Sequence, residues 1–161
     1  MDAELHFADE THAIGSVGPV FINVVRKPAT LEMLKETRRQ VQRHFRRCNN
    51  VSLALSVLEP GAAQAVPREV RDEGAALTAE FKSLAAATVI EGTGFRAAAT
   101  RTAIAGMYFI SKPPYPHKVF SDLSEGAGWV IATGSRTTPI GATSEEIVRA
   151  VELVRRALRN P

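Results

Sequence analysis

The residues of this chain best suited to chemistry by type and spacing are Gly92-Thr93-Gly94, where an apolar run gives way to a helical pattern. Free backbone N–H groups at the start of a helix attract anions. Thr93 is therefore a candidate phosphate-binding or phosphorylatable residue, with Gly92, Gly94 and Arg96 around it. The plainer reading is a tight turn that needs the backbone freedom of glycine. A lone G-x-G is weak, because neither a Walker sequence nor a full dinucleotide-binding sequence accompanies it. Arg101 follows about a turn and a half after Arg96, and Tyr115 and His117 lie in a proline-rich loop beyond. A pocket forms here if that loop folds back over the helix start. Otherwise Tyr115 packs and His117 is solvated.

The other reactive side chains suggest less. Cys48 is the single cysteine, so no intramolecular disulfide exists, and it reads as a small apolar residue at a helix end. His6, His12, His44 and His117 show no metal-ligand spacing. No nucleophile has a base at a convincing distance along the chain: G-x-S-x-G, H-E-x-x-H and paired-carboxylate patterns are all missing. The expectation is a protein without catalytic residues, metal or cofactor.

At 161 residues the chain should form one domain, large enough to bury a core without a metal or a disulfide. Its 45% hydrophobic and 23% charged content excludes a disordered chain and a disulfide scaffold. The net charge of +3 is mild, so nucleic acid is not the expected partner. The opening MDAELHFADE is acidic and unlike a signal peptide, and no apolar run nears the roughly 20 residues of a membrane span. A soluble cytoplasmic protein is expected.

The elements that must position these residues alternate. Glu4–Ala8 and Thr11–Ile14 read as short strands, Val20–Val25 as a stronger one, and Val51–Leu58 as a central, almost wholly apolar strand. Ala87–Ile90 and His117–Phe120 complete a mixed sheet of about four or five strands, since the opening strands are too close for a helical crossover. A helix capped by Thr30 should run to about Cys48, with Leu31, Leu34, Val41, Phe45 and Cys48 on its apolar arc. Arg38 intrudes on that arc and should snorkel or meet an acid. Arg39, Arg43, Arg46 and Arg47 lie on the outer side, as a solvated face or a docking surface for an acidic partner or for the phosphates of nucleic acid. A second helix follows Pro67, with Val70, Leu77, Phe81 and Leu84 inward and Gly74 weakening it. The helix after Gly94 is rich in Ala97, Ala98, Ala99, Ala103, Ala105 and Gly106, which should let it lie close to the sheet. Asp122 with Glu125, and Thr143 with Glu146, fit capping boxes of two further helices.

Residues 133–143 read as a linker, which separates an α/β domain over 1–132 from a C-terminal amphipathic helix within 133–161. That helix carries Ile147, Val151, Val154 and Leu158 in one stripe and Arg149, Arg155, Arg156 and Arg159 opposite. The stripe must be buried on its own domain or on a second subunit, which makes its four apolar residues candidate partner contacts in a homo-oligomer.

The chain resembles the SpoIIAA-like, or STAS, domains of bacteria in the order of its elements. It is most similar to an uncharacterised bacterial group of short STAS-like proteins. The segments that carry the likeness are VGPVFINVVRKPATLEML, LEPGA, VPREVR, VIEGTGFRAAATRTAIAGM and PPYPHKVFSDLSEGAGW, within about Val17 to Trp129. The resemblance implies a non-enzymatic interaction or regulatory module; a small-molecule or lipid binder with a cleft near Gly92–Gly94 is the alternative, and an enzyme of unrecognised type the third. Regulated STAS domains carry a phosphorylatable hydroxyl in the turn after the central strand. The matching Glu59-Pro60-Gly61-Ala62 has none, so the resemblance does not bring that switch with it.

Overall fold

Alternating hydrophobic and small residues build one six-stranded sheet, more than the four or five strands expected. The computed structural model describes residues 1–158, except for the side chains of residues 107–111; Arg159 lies outside the described residues. Strands β1 (Ala3–Ala8), β2 (His12–Val17) and β3 (Val20–Val25) form an antiparallel meander. Strands β4 (Leu53–Leu58), β5 (Ala86–Ile90) and β6 (His117–Phe120) continue from β3 in parallel. The strands lie side by side in chain order. The second strand runs on past Ile14 to Val17, because Gly18, at φ 52°, makes the tight turn that lets Val17 pair directly with Val20.

Five helices accompany the sheet: α1 (Leu31–Arg47), α2 (Arg68–Glu80), α3 (Gly94–Ser111), α4 (Leu123–Gly134) and α5 (Ser144–Ala157). Residues paired straight across the strands share a face. Ala13, Gly15 and Val17 therefore line up with Val24, Ile22 and Val20, and these with Val57, Leu55 and Leu53. This face is the main core, and α4 and α5 close it. Both approach tightly. A Cβ on Gly126 would sit 2.8 Å from Val89, one on Gly134 2.5 Å from Leu53, and one on Gly15 2.5 Å from Val154. The close packing expected of the small-residue helix α3 is thus made by α4 and α5. In α3 only Ala97 is buried among the described side chains, and Ala98, Ala99, Ala103, Ala105 and Gly106 are exposed.

The opposite face is more polar, with His12 and Ser16 on β2 and with Asn23, Ser56 and Thr88 in register across β3, β4 and β5. Helix α1 covers part of it, capped by Thr30 as expected. Its buried side chains are Met33, Thr37, Gln40, His44 and Phe45, a face rotated from the predicted arc. The rotation matches polar to polar. His44 lies against the Phe21 ring at 5.5 Å and reaches the carbonyl of Pro19 at 3.1 Å. Leu31, Leu34 and Val41 are left half-buried. Helix α2 packs against α1. Between these two helices Arg38 does meet acids, Glu73 and Glu80, each at 2.7 Å.

The C-terminal helix lies against its own sheet. Ile147, Val151 and Val154 are fully buried and Leu158 almost so, packed with β1, β2, β3 and α4. Within this chain the four residues named as candidate partner contacts are part of the core. Ile140 and Ala142, in the stretch read as a linker, belong to the same core. Thr143 and Glu146 form both halves of the capping box.

Candidate functional site

The carboxyl ends of β3, β4 and β5 meet at one edge, and each strand is followed at once by a charged residue: Arg26, Glu59 and Glu91. This is the edge where open parallel sheets usually hold their ligands. Here its charges are spent on one another. Arg26 Nε donates to Glu59 at 2.8 Å, and its Nη1 donates to the carbonyl of Leu158 at 2.9 Å. Arg155 from α5 grips Glu91 with two hydrogen bonds of 3.0 and 2.6 Å and stands 3.8 Å from Glu59. Each carboxylate already faces a guanidinium, so the cluster fastens α5 to three strands and leaves no free base. The sequence placed Arg155 on a polar outer face; that Arg26, Glu59 and Glu91 converge on it follows from the parallel register alone.

Directly beyond Glu91 comes the Gly92-Thr93-Gly94 turn. Gly92 and Gly94 adopt φ of 113° and 85°, which L-residues rarely reach. An added Cβ would meet no close atom at Gly94 and only ordinary contacts at Gly92, so conformation rather than space requires glycine here. Arg101 holds the turn from behind, with Nη1 at 3.2 Å from the carbonyl of Ile90 and 3.3 Å from that of Gly92. Thr93 and Arg96 are exposed. Among the described residues the most exposed large hydrophobic side chain is Phe95, at 88%, next to Arg96 in the first turn of α3.

The arginines predicted on α1 divide. Arg39 pairs with Glu36, and Arg47 with Glu4 while also donating to Ser16 Oγ at 2.8 Å. Arg43 and Arg46 are exposed, and no acid among the described residues pairs with them.

The histidines that sequence treated as solitary are built into the fold. His6 Nε2 and Ser16 Oγ are 2.8 Å apart, but Ser16 is buried beneath His6 and Arg47 and offers no open nucleophile. Cys48 Sγ is 3.8 Å from His44 Nε2. Burial pushes the Cys48 thiol up and the His44 imidazole down, opposite to a reactive thiolate–imidazolium pair. His117 Nε2 is 3.0 Å from Thr88 Oγ1, and burial lowers its pKa to about 4. It is therefore not the solvated residue that the sequence suggests. Tyr115 donates to the carbonyl of Thr78 at 3.0 Å.

Two cavities open elsewhere. One, of about 450 Å³, lies at the far end of α3 beside Tyr115, His117 and Val119. The other, of about 430 Å³, lies between the ends of α1 and α2. The proline loop thus packs by the C-terminal half of α3 at Ala105, away from the helix start. Among the described residues no group of His, Cys, Asp and Glu is placed to hold a metal ion, and no helix is long and apolar enough to cross a membrane.

No family model, curated protein or solved structure matches this chain.

Proposed function

We propose that the protein is a non-enzymatic, cytoplasmic interaction and regulatory module that docks a partner protein on the outer face of α3. One observation carries the reading: Phe95, at 88% exposure, begins a helix whose Ala98, Ala99, Ala103 and Gly106 also face solvent. Burying a phenylalanine is worth about 1.5–3 kcal/mol. The small residues behind Phe95 would let a partner's backbone come close. Arg96 has no acid partner among the described residues and suits an acidic group at the rim. Thr93, two positions before Phe95, is open to modification, so a phosphate there would change the charge of the same surface. The element order supports a STAS-like organisation, and the self-contained charge cluster at the carboxyl edge favours a binding role over catalysis.

The test is Phe95→Asp. The wild-type chain, immobilised and offered extract of its native host, should retain a partner that the variant loses by roughly thirtyfold, the cost of about 2 kcal/mol at a hot spot. Sedimentation of both proteins shows whether that partner is a second copy. Identical retained proteins and identical masses for wild type and a folded variant would defeat the reading.

A further inference from the structure

At the opposite, amino edge of the parallel strands, the C-terminal ends of α1 and α2 flank the open cavity of about 430 Å³. That volume is within the range of small-molecule sites. Its apolar wall is aromatic: the rings of Phe45 and Phe81 lie 5.3 Å apart at 51°. Phe45 is buried and Phe81 half-buried, so one ring is fixed in the core while the other still offers surface.

The polar rim is uncommitted. Arg46 and Lys82 line the cavity, and neither has an ion-pair partner among the described residues. Gln42 and Asn50 line it too, with side-chain amides that make no hydrogen bond there. The one acid, Glu80, is engaged by Arg38 Nη1 at 2.7 Å. The rim is set by backbone geometry as well: Asn49 and Asn50 both take left-handed φ, 52° and 63°, and the N–H of Asn50 returns to the carbonyl of Phe45 at 2.8 Å.

Magnitudes decide which ligand charge fits. Two helix C-termini oppose an anion with about half a negative charge each. Against the two cations that leaves about one positive charge, and Glu80, which shares Arg38 with Glu73, takes back part of it. A dianion would be under-compensated, and a neutral ring would leave the cations unused.

We propose that this cavity binds a small aromatic monoanion, of the aryl carboxylate class, with its ring against Phe81 and Phe45 and its charge toward Arg46 and Lys82. The amides of Gln42 and Asn50 supply further donors to the carboxylate. The site is separate from the outer face of α3 and stands or falls without it.

The test is calorimetric titration of the full chain with 2-naphthoate, its neutral amide and 2-naphthyl phosphate. The carboxylate should bind one per chain, with the amide at least about tenfold weaker, as expected when a charge-assisted hydrogen bond is lost. Arg46→Gln with Lys82→Gln should bring the carboxylate to the level of the amide. Phe81→Leu keeps the bulk and removes the ring face, and should weaken all three ligands together. Circular dichroism melting confirms that each variant is folded. No binding at millimolar carboxylate overturns the proposal, as does equal affinity for carboxylate and amide, or full affinity in the double variant. Tighter binding of the phosphate than of the carboxylate overturns the monoanion assignment.

Discussion

Burial sets the protonation of three histidines beneath the helices. His12 and His44 are almost fully covered, and burial holds both imidazoles below the usual histidine range. Around His12 stand Asp9 and Glu36, which pull the other way; around His44 stand Arg47, His6 and Glu4, with the carbonyl of Pro19 as its hydrogen-bond acceptor. His117 shows the largest effect, from 6.5 to about 4, with desolvation as the cause. A folded-state pKa below the unfolded one means that the unfolded chain binds the proton first. Stability is therefore intact above about pH 6.5, falls as the pH drops through that value, and goes on falling until about pH 4. At about 1.4 kcal/mol per unit, His117 alone sets a ceiling of about 3.5 kcal/mol, reduced by the ring's residual contact with water. Guanidinium unfolding should show a loss of about 1–2 kcal/mol between pH 7 and pH 5, and His117→Gln should flatten that slope. Stability that stays level across this window would refute the buried, neutral assignment.

At the scale of elements, glycine decides which helix touches the sheet. Gly126 of α4 leaves no room for a Cβ, with Val89 at 2.8 Å and the Phe120 ring at 3.5 Å. Gly126→Ala should cost about 1–3 kcal/mol through overpacking. Gly74 in α2 has nothing within 4 Å, so Gly74→Ala should add about 0.5–1 kcal/mol of helix propensity. Thermal melts of the two variants should shift in opposite directions; a common direction would mean that the helices are not packed this way. The same contrast marks what the sequence shows. Strand positions and the caps at Thr30, Asp122 and Thr143 are legible, because local hydrogen bonds and periodicity write them. Which small-residue helix packs closely is not, since α3 and α4 are both rich in alanine and glycine and only the crossover geometry separates them. The rotated face of α1 was hidden for a related reason. Its buried Thr37, Gln40 and His44 answer a polar sheet face that periodicity cannot see from within the helix. At the candidate site the Gly92-Thr93-Gly94 turn was legible from its glycines, whereas the exposure of Phe95 and the cavity at Phe81 depend on what does not pack beside them.

For the molecule as a whole, the mixed sheet leaves one face to be sealed by α4 and α5. Strands β2 and β3 turn Ala13, Val17, Val20, Ile22 and Val24 toward α5, and the main core includes Ile147, Val151, Val154 and Leu158 as its other wall. Each of these four is worth about 1.5–3 kcal/mol when buried, so the stripe contributes roughly 6–12 kcal/mol. That equals most or all of the net stability of an ordinary domain, about 5–15 kcal/mol. The polar clamp adds to it: Arg155 bridges to Glu91, and Arg26 caps the helix end at the carbonyl of Leu158. Helix α5 is then part of the folding unit. Ending the chain at residue 143 should abolish cooperative unfolding in denaturant and expose the β1–β3 face to a hydrophobic dye. A truncated chain that kept a sharp transition and changed only its oligomeric mass would instead make α5 an exchangeable arm. The interdigitation of Val154 with Gly15, whose Cβ position it occupies at 2.5 Å, argues against that outcome, because an arm held so closely cannot leave without opening a gap over the central strands.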